Sequence, residues 1–265
     1  MHLVTPTWPS GHRCALALAF TVNALEIDDK AVSPRSYAPT GTARLLRLLA
    51  DADVQATFGW SPAAAEAWAD LLSTCAGDGH DIALLHPTVG RSPLLTSPAR
   101  TSDVPTDLTG ALDRLRSLRA GDVSGVIWGA HAIDDSTWLS MTEAGISWIT
   151  CLPSADIPTI NGMAGTDQPI VEIPVWGHSS AGDVASRLIV GTDSVLTRWR
   201  DDLDVLRDEG ALLGMRLDTA VAGQPSFSRA LLHLLDDATD LGDVWVARLG
   251  DISQWWLERD REVRR

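Results

Sequence analysis

The chain has 265 residues, 45% of them apolar and 21% charged, which suits one large or two small soluble globular domains. Its 35 acidic against 21 basic residues leave a formal charge of −14, which argues against nucleic acid or an anionic membrane as main partner, since both need a basic face. Two counts stand out: Lys30 is the only lysine, and 11 tryptophans face 3 phenylalanines and 1 tyrosine.

The amino-terminal stretch from Met1 to Pro9 has neither a basic segment nor an apolar one, and no apolar run in the chain reaches the roughly 18 residues of a membrane span. A cytoplasmic protein is expected. Cys14, Cys75 and Cys151 are odd in number and far apart, so they predict no disulfide framework and no paired-cysteine metal site, only small buried apolar residues.

Along the chain, short apolar runs alternate with amphipathic stretches. Cys14–Phe20 is continuous and apolar, as a strand buried on both faces requires. Leu45, Leu46, Leu48 and Leu49 fall at helical spacing within 42–52. A strand follows at 54–59. Ser61-Pro62 is an N-cap followed by proline at the first helical position, and the helix it opens is expected to run to about Cys75, stopped by Gly77 and Gly79. Further strands are predicted at 81–85, 124–128, 147–151, 171–175, 212–217 and 243–247, and helices at 106–118, 136–144, 195–209, 226–238 and 251–264. The stretch Pro87–Pro105 reads as a long loop.

Strands alternating with helices imply parallel βα units. Their number fits a single (β/α) barrel over residues 1–265, with a doubly wound open sheet as the other arrangement. In a barrel, chemistry gathers at the C-terminal ends of the strands. Those ends carry Thr21 and Asn23, Trp60, His86, Trp128 with His131, Trp176 with His178, and Asp218. Acid–base groups mixed with indole rings suit an enclosed site for a small organic ligand.

Several segments together resemble the polysaccharide deacetylase (NodB-homology) superfamily, in particular its branch of allantoinase-like and cyclic-imidase-like proteins. They are Trp8–Asn23, Ser36-Tyr37, Gly41–Leu49, Ala56–Phe58, Gly79–His86, Val171–Trp176, Trp199–Asp204 and Val244–Ile252. The resemblance spans about residues 8–257 and implies a distorted (β/α)7 barrel, metal-dependent deacylation and a homo-oligomer. The motifs that carry this chemistry in the family are altered. Its Thr-Phe-Asp-x-Asp reads Ala19-Phe20-Thr21-Val22-Asn23, so the catalytic base position is Thr21 and a metal-ligand position is the neutral Asn23. Its His-Ser/Thr-x-x-His reads His86-Pro87-Thr88-Val89-Gly90, which keeps one imidazole and loses the other. The arginine of the third motif is Ile127, and the catalytic histidine of the last is Asp218 in Leu217-Asp218-Thr219. Of these polar positions only His86 keeps its family identity. One imidazole is too few to hold zinc, so neither a metal nor another cofactor is expected.

The expectation is therefore a metal-independent enzyme acting on a small, fairly apolar carbonyl or C–N compound. The reaction is hydrolysis of an amide or cyclic imide, or a non-hydrolytic isomerisation or cyclisation. His86 and Asp218 would be acid and base, and Thr21, Asn23, Trp60, Trp128, His131, Trp176 and His178 would bind the substrate. The structural alternative for Asp218 is a loop carboxylate capping a backbone amide. Two other functions stay open: a catalytically inactive relative that binds a ligand or protein partner, and a metal deacetylase with atypical ligands.

Overall fold

The structure, a computed structural model, describes residues 8–24, 26–27, 31–32, 36–86, 108–118, 122–129, 133–151, 154–161, 168–179 and 192–263. The expected loop Pro87–Pro105 and His131 lie outside the described residues, as does the side chain of His178.

Strand β1 (Cys14–Val22) shows why the chain folds as it does. All nine residues are buried, and what alternates is size rather than polarity. Ala15, Ala17 and Ala19 face one cluster of apolar residues, while Leu16, Leu18, Phe20 and Val22 face another. The first cluster also holds Leu85, Ile127, Trp148, Val171, Ile173, Val175 and Leu212 from the other strands, so it is the barrel interior. The second holds the apolar stripes of the helices and lies outside the sheet. A strand with small residues inward and large ones outward lets the sheet curl tightly while the helices pack on its back.

The remaining elements follow the alternation. After a short hairpin, β2 (Glu26–Ile27) and β3 (Ala31–Val32), come α1 (Ala38–Asp51), β4 (Thr57–Trp60), α2 (Pro62–Ala67), α3 (Ala69–Gly77), β5 (Asp81–Leu85), α4 (Leu108–Ser117), β6 (Gly125–Ile127), α5 (Asp135–Glu143) and β7 (Trp148–Cys151). Then come β8 (Thr159–Asn161), β9 (Ile170–Pro174), β10 (Trp176–Ser179), α6 (Thr192–Glu209), β11 (Leu212–Asp218), α7 (Thr219–Ala222), α8 (Pro225–Leu241), β12 (Val244–Val246) and α9 (Leu249–Val263). The single helix expected from Ser61 to Cys75 is two. Ser61 caps the first by accepting from the Ala64 amide, but Trp68 leaves the helical region (φ −131°, ψ 48°) and splits it. The hairpin β2–β3, β8, β10 and α7 are short and lacked a periodic signal.

The sheet order is β10-β11-β1-β4-β5-β6-β7-β9-β8, with β12 also on β1. Every pairing in this sheet is parallel except β8 with β9. β9 and β10 are separated in the chain only by Val175, yet β9 pairs with β7 and β10 with β11. The chain itself therefore joins the two flanks of the curled sheet, giving a distorted (β/α)7 ring rather than a doubly wound open sheet.

Glycines make room for the interior. A Cβ on Gly125 would stand 2.0 Å from the Trp148 ring, and one on Gly59 would stand 2.5 Å from the Ile127 side chain. The N-terminal end of the ring is covered by α9. The Leu249 amide donates to Thr57 Oγ1 (2.9 Å), the Gly250 amide to Asp81 Oδ2 (2.8 Å), and Arg248 spans the Asp251 carboxylate and the Gly79 carbonyl. Trp8 stacks on Trp255 at 5.3 Å beside Trp256, its indole N–H bonded to the Gly210 carbonyl.

Candidate active site at the C-terminal mouth of the barrel

Thr21 and Asp218 are register partners at the ends of β1 and β11. On β1, Thr21 continues the inward series Ala15, Ala17, Ala19; on β11, Asp218 continues Leu212, Gly214, Arg216, while Leu213, Met215 and Leu217 pack outward. The two candidates thus stand side by side on the inner face. Thr21 is buried and Asp218 partly so. Their backbones are tied together, since the Thr219 hydroxyl donates to the Thr21 carbonyl (3.1 Å). Asp218 is also the N-cap of α7, its Oδ1 accepting from the Ala220 amide at 2.8 Å. Burial pushes its carboxyl up from the ordinary range, against the opposing pull of the Ala220 and Val221 amides. The capping role and a raised pKa therefore coexist in one side chain.

A second pair forms at the neighbouring strand ends. His86 follows β5, is buried, and stacks on the Trp128 ring at a centroid distance of 3.8 Å. Trp128 follows β6 and is also buried, its amide donating to Thr150 Oγ1 of β7 (3.0 Å). The His86 amide donates to the Ile127 carbonyl (3.0 Å), which fastens the two strand ends to each other. Ile127 itself turns inward and is fully buried, so the position that the resemblance sets against an arginine is filled by an apolar side chain lying against Gly59.

The other candidates are placed differently. Asn23 lies just beyond β1 and is exposed. Trp60 is fully buried in the cluster outside the sheet; its indole N–H is the one buried side-chain polar atom without a hydrogen-bond partner among the described residues. Burial holds the Cys75 thiol well above its ordinary value. Trp176 opens β10 beside the outward Met215 and is exposed. His178 lies on β10.

The described residues of the mouth do not form a set suited to a divalent metal. Asn23 offers a neutral amide oxygen, and the His86 ring is engaged by an indole face. Among the described residues, no group of three or more His, Cys, Asp or Glu side chains could hold one. The cysteines add no reactive group, since burial raises the Cys14 and Cys151 thiols to about 11. No described helix is long and apolar enough to cross a membrane.

One inward residue escaped the sequence reading. Arg216 is half-buried on the inner face of β11, one inward position below Asp218. A charge at an alternate position of the apolar run Leu212–Leu217 was the signal available.

The curled, mostly parallel sheet, its two flanks joined through β9–β10, has the fold of the NodB-like barrels. The chain is similar in fold to a Mycobacterium smegmatis protein described as a polysaccharide deacetylase, with TM-score 0.77 and 22% identity, covering 97% of this chain and 95% of that one. It is similar to a Pseudomonas aeruginosa protein of the same description (TM-score 0.77, 19% identity, 95% and 93% covered). It is similar also to the Puue allantoinase (TM-score 0.78, 20% identity, 96% and 94% covered). No protein-family model and no curated protein matches the chain by sequence.

Proposed function

We propose that the chain is a metal-independent enzyme acting at the C-terminal mouth of the barrel on a small, fairly apolar amide or cyclic imide. The observation that carries this reading is Asp218: a carboxyl raised by burial, on the inner face beside Thr21, at the end of the barrel where such folds do chemistry. A carboxyl whose pKa is raised by burial is suited to general acid catalysis. Asp218 gives its proton to the departing nitrogen, and His86 in its neutral form takes a proton from water. The water oxygen bonds to the carbonyl carbon as the C–N bond breaks, so an acid and an amine or amide are left. Thr21 and Asn23 hydrogen-bond the substrate, and Trp128 offers a flat apolar wall backed by His86. His131 and His178 complete the substrate-binding set, whereas Trp60 and Trp176 stand on the outer face of the sheet and support it only from behind. The structural neighbours are described as deacetylases and an allantoinase, which supports hydrolytic C–N chemistry on this scaffold.

The test is turnover of a panel of cyclic imides and linear amides in buffer containing a strong chelator. Native activity is expected to survive chelation, and Asp218→Asn and His86→Ala are each expected to lose about a hundredfold or more. Undiminished activity in both variants would overturn the assignment. Loss of activity on chelation, restored by zinc, would establish a metal deacetylase with atypical ligands instead. Binding without turnover would establish an inactive relative. A product that takes up no oxygen from labelled water would move the reaction to isomerisation or cyclisation.

A further inference from the structure

We propose that Thr150 is a positioning residue of the barrel mouth: its buried hydroxyl clamps the peptide of Trp128 and thereby holds the indole face to face with His86, so that the imidazole is presented in one orientation. This rests on the reading of His86 as the base and adds the residue that orients it.

The placement of Thr150 follows from β7. Trp148 packs in the barrel interior and Ile149 in the cluster outside the sheet, so the period of two turns Thr150 inward again. It is fully buried. A hydroxyl shut away from water needs a hydrogen-bond partner inside the protein. Thr42 and Ser228 spend theirs on carbonyls one turn back in their own helices. Thr150 spends both acceptor and donor on one residue of the next strand. The Trp128 amide donates to Oγ1 at 3.0 Å, and the hydroxyl donates in return to the Trp128 carbonyl at 3.5 Å.

The backbone shows why this bond matters. β6 pairs with β7 at Gly125–Trp148 and Val126–Ile149, and the ladder ends there. Trp128 stands two residues past the last pair, so the Thr150 side chain takes the place of the missing ladder bond. On the other side the strand end is tied to β5 by the His86 amide and the Ile127 carbonyl (3.0 Å). The ring carried by this doubly fixed strand end lies on His86 at 3.8 Å between centroids, with 30° between the planes. A flat contact this close leaves the imidazole no rotation about its Cβ–Cγ bond that keeps it on the indole face. A base must present one nitrogen to the proton it takes, and a misplacement of about 1 Å can cost on the order of a hundredfold. Without the hydroxyl the Trp128 amide is buried and unpaired, so its peptide turns towards another acceptor and carries the indole off His86.

The experiment is Thr150→Val, which keeps the branched shape of the side chain and removes the hydroxyl, read by proton NMR of the His86 ring and by turnover. In the full native chain the indole ring current is expected to displace the His86 ring signals upfield, the signals being assigned by their absence in His86→Ala. Thr150→Val is expected to lose most of that displacement. It is also expected to lower kcat about tenfold or more, with KM changed by less than about threefold, on the imide or amide that the native chain turns over fastest. Thr150→Ser restores the hydroxyl and is expected to recover the displacement and most of kcat. Undisplaced signals in the native chain, a displacement that survives in Thr150→Val, an unchanged kcat once it is lost, or a serine variant no better than the valine one would overturn the proposal. Should the valine variant fail to fold by circular dichroism, Thr150→Ala decides on the same criteria. The NMR readout is independent of turnover. A displacement lost with the hydroxyl in a chain that hydrolyses nothing would sink the catalytic reading and leave the clamp; turnover by a chain whose displacement does not depend on Thr150 would do the reverse.

Discussion

Asp218 caps α7 and, in the proposed mechanism, donates a proton, and the two roles can be separated by substitution. Asn keeps an oxygen that can accept from the Ala220 amide, so the cap survives in Asp218→Asn, while the transferable proton is lost. Because its folded pKa lies above the unfolded one, the ionised carboxyl is the less stable form in the fold. Stability contributed by the protonated group is lost as pH rises through that window. Asp218→Asn is therefore expected to melt no lower than the native chain at neutral pH, and to lose about a hundredfold or more in turnover. A melting temperature that falls along with activity would mark Asp218 as merely structural. The native rate should fall on the alkaline side through a carboxyl pKa above the usual range, and that limb should be missing in the variant. His80 is perturbed in the opposite sense. Burial lowers its pKa, and its Nδ1 accepts from the Ala56 amide, which requires the neutral ring. Its contribution is present above the unfolded value of about 6.5 and lost as pH falls below it. Thermal melts from pH 7.5 to 5 should show a decline that His80→Asn, which keeps an acceptor near Nδ1, reduces.

At the scale of elements, the mouth is held by a contact between backbones. A Cβ on Gly41 of α1 would lie 2.0 Å from the Thr219 carbonyl oxygen, and one on Gly223, just after α7, would lie 2.2 Å from the Gly41 Cα. Arg44 of α1 adds a hydrogen bond to the Gly223 carbonyl. This contact holds α7, whose N-cap is Asp218, against α1. Gly41→Ala is expected to cost about 1–3 kcal/mol, since backbone and not a flexible side chain must yield. In a chain of this size that lowers the melting temperature by roughly 2–4 °C per kcal/mol, and turnover should fall with it. A native-like melt would show that α1 and α7 can part without cost. The split of the helix at Trp68 was not visible beforehand, because periodicity registers which residues face the core and not whether the axis continues.

For the whole molecule, the two ends of the barrel divide the labour. The N-terminal end is closed by α9, whose first amides are taken up by Thr57 and Asp81 and whose tryptophans pack with Trp8. Asp81→Ala leaves the Gly250 amide without its acceptor and is expected to cost about 1–3 kcal/mol. If α9 loosens, tryptophan emission should shift to longer wavelength, because Trp255 and Trp256 gain water. Unchanged emission with an unchanged melt would show that the helix docks without that carboxylate. The tryptophan excess is thereby divided. Trp8, Trp60, Trp148 and Trp199 are buried packing residues, and Trp128 stacks on the candidate site histidine His86.

The alternation of strands and helices, the caps at Ser61 and the glycine stops, and the strand ends bearing Thr21, His86 and Asp218 were all legible in the sequence. Each depends on neighbours within a few residues, where periodicity and turn chemistry act. The closure of the ring was not legible. It depends on β9 and β10 bonding to different neighbours across Val175, a choice made by strands far away in the chain. The same holds for the inward turn of Arg216, which a strand's period of two allows on either face until the sheet curls and one face becomes the interior. Residue type settled which groups could do chemistry; only the packing of small residues inside and large ones outside decided which of them meet.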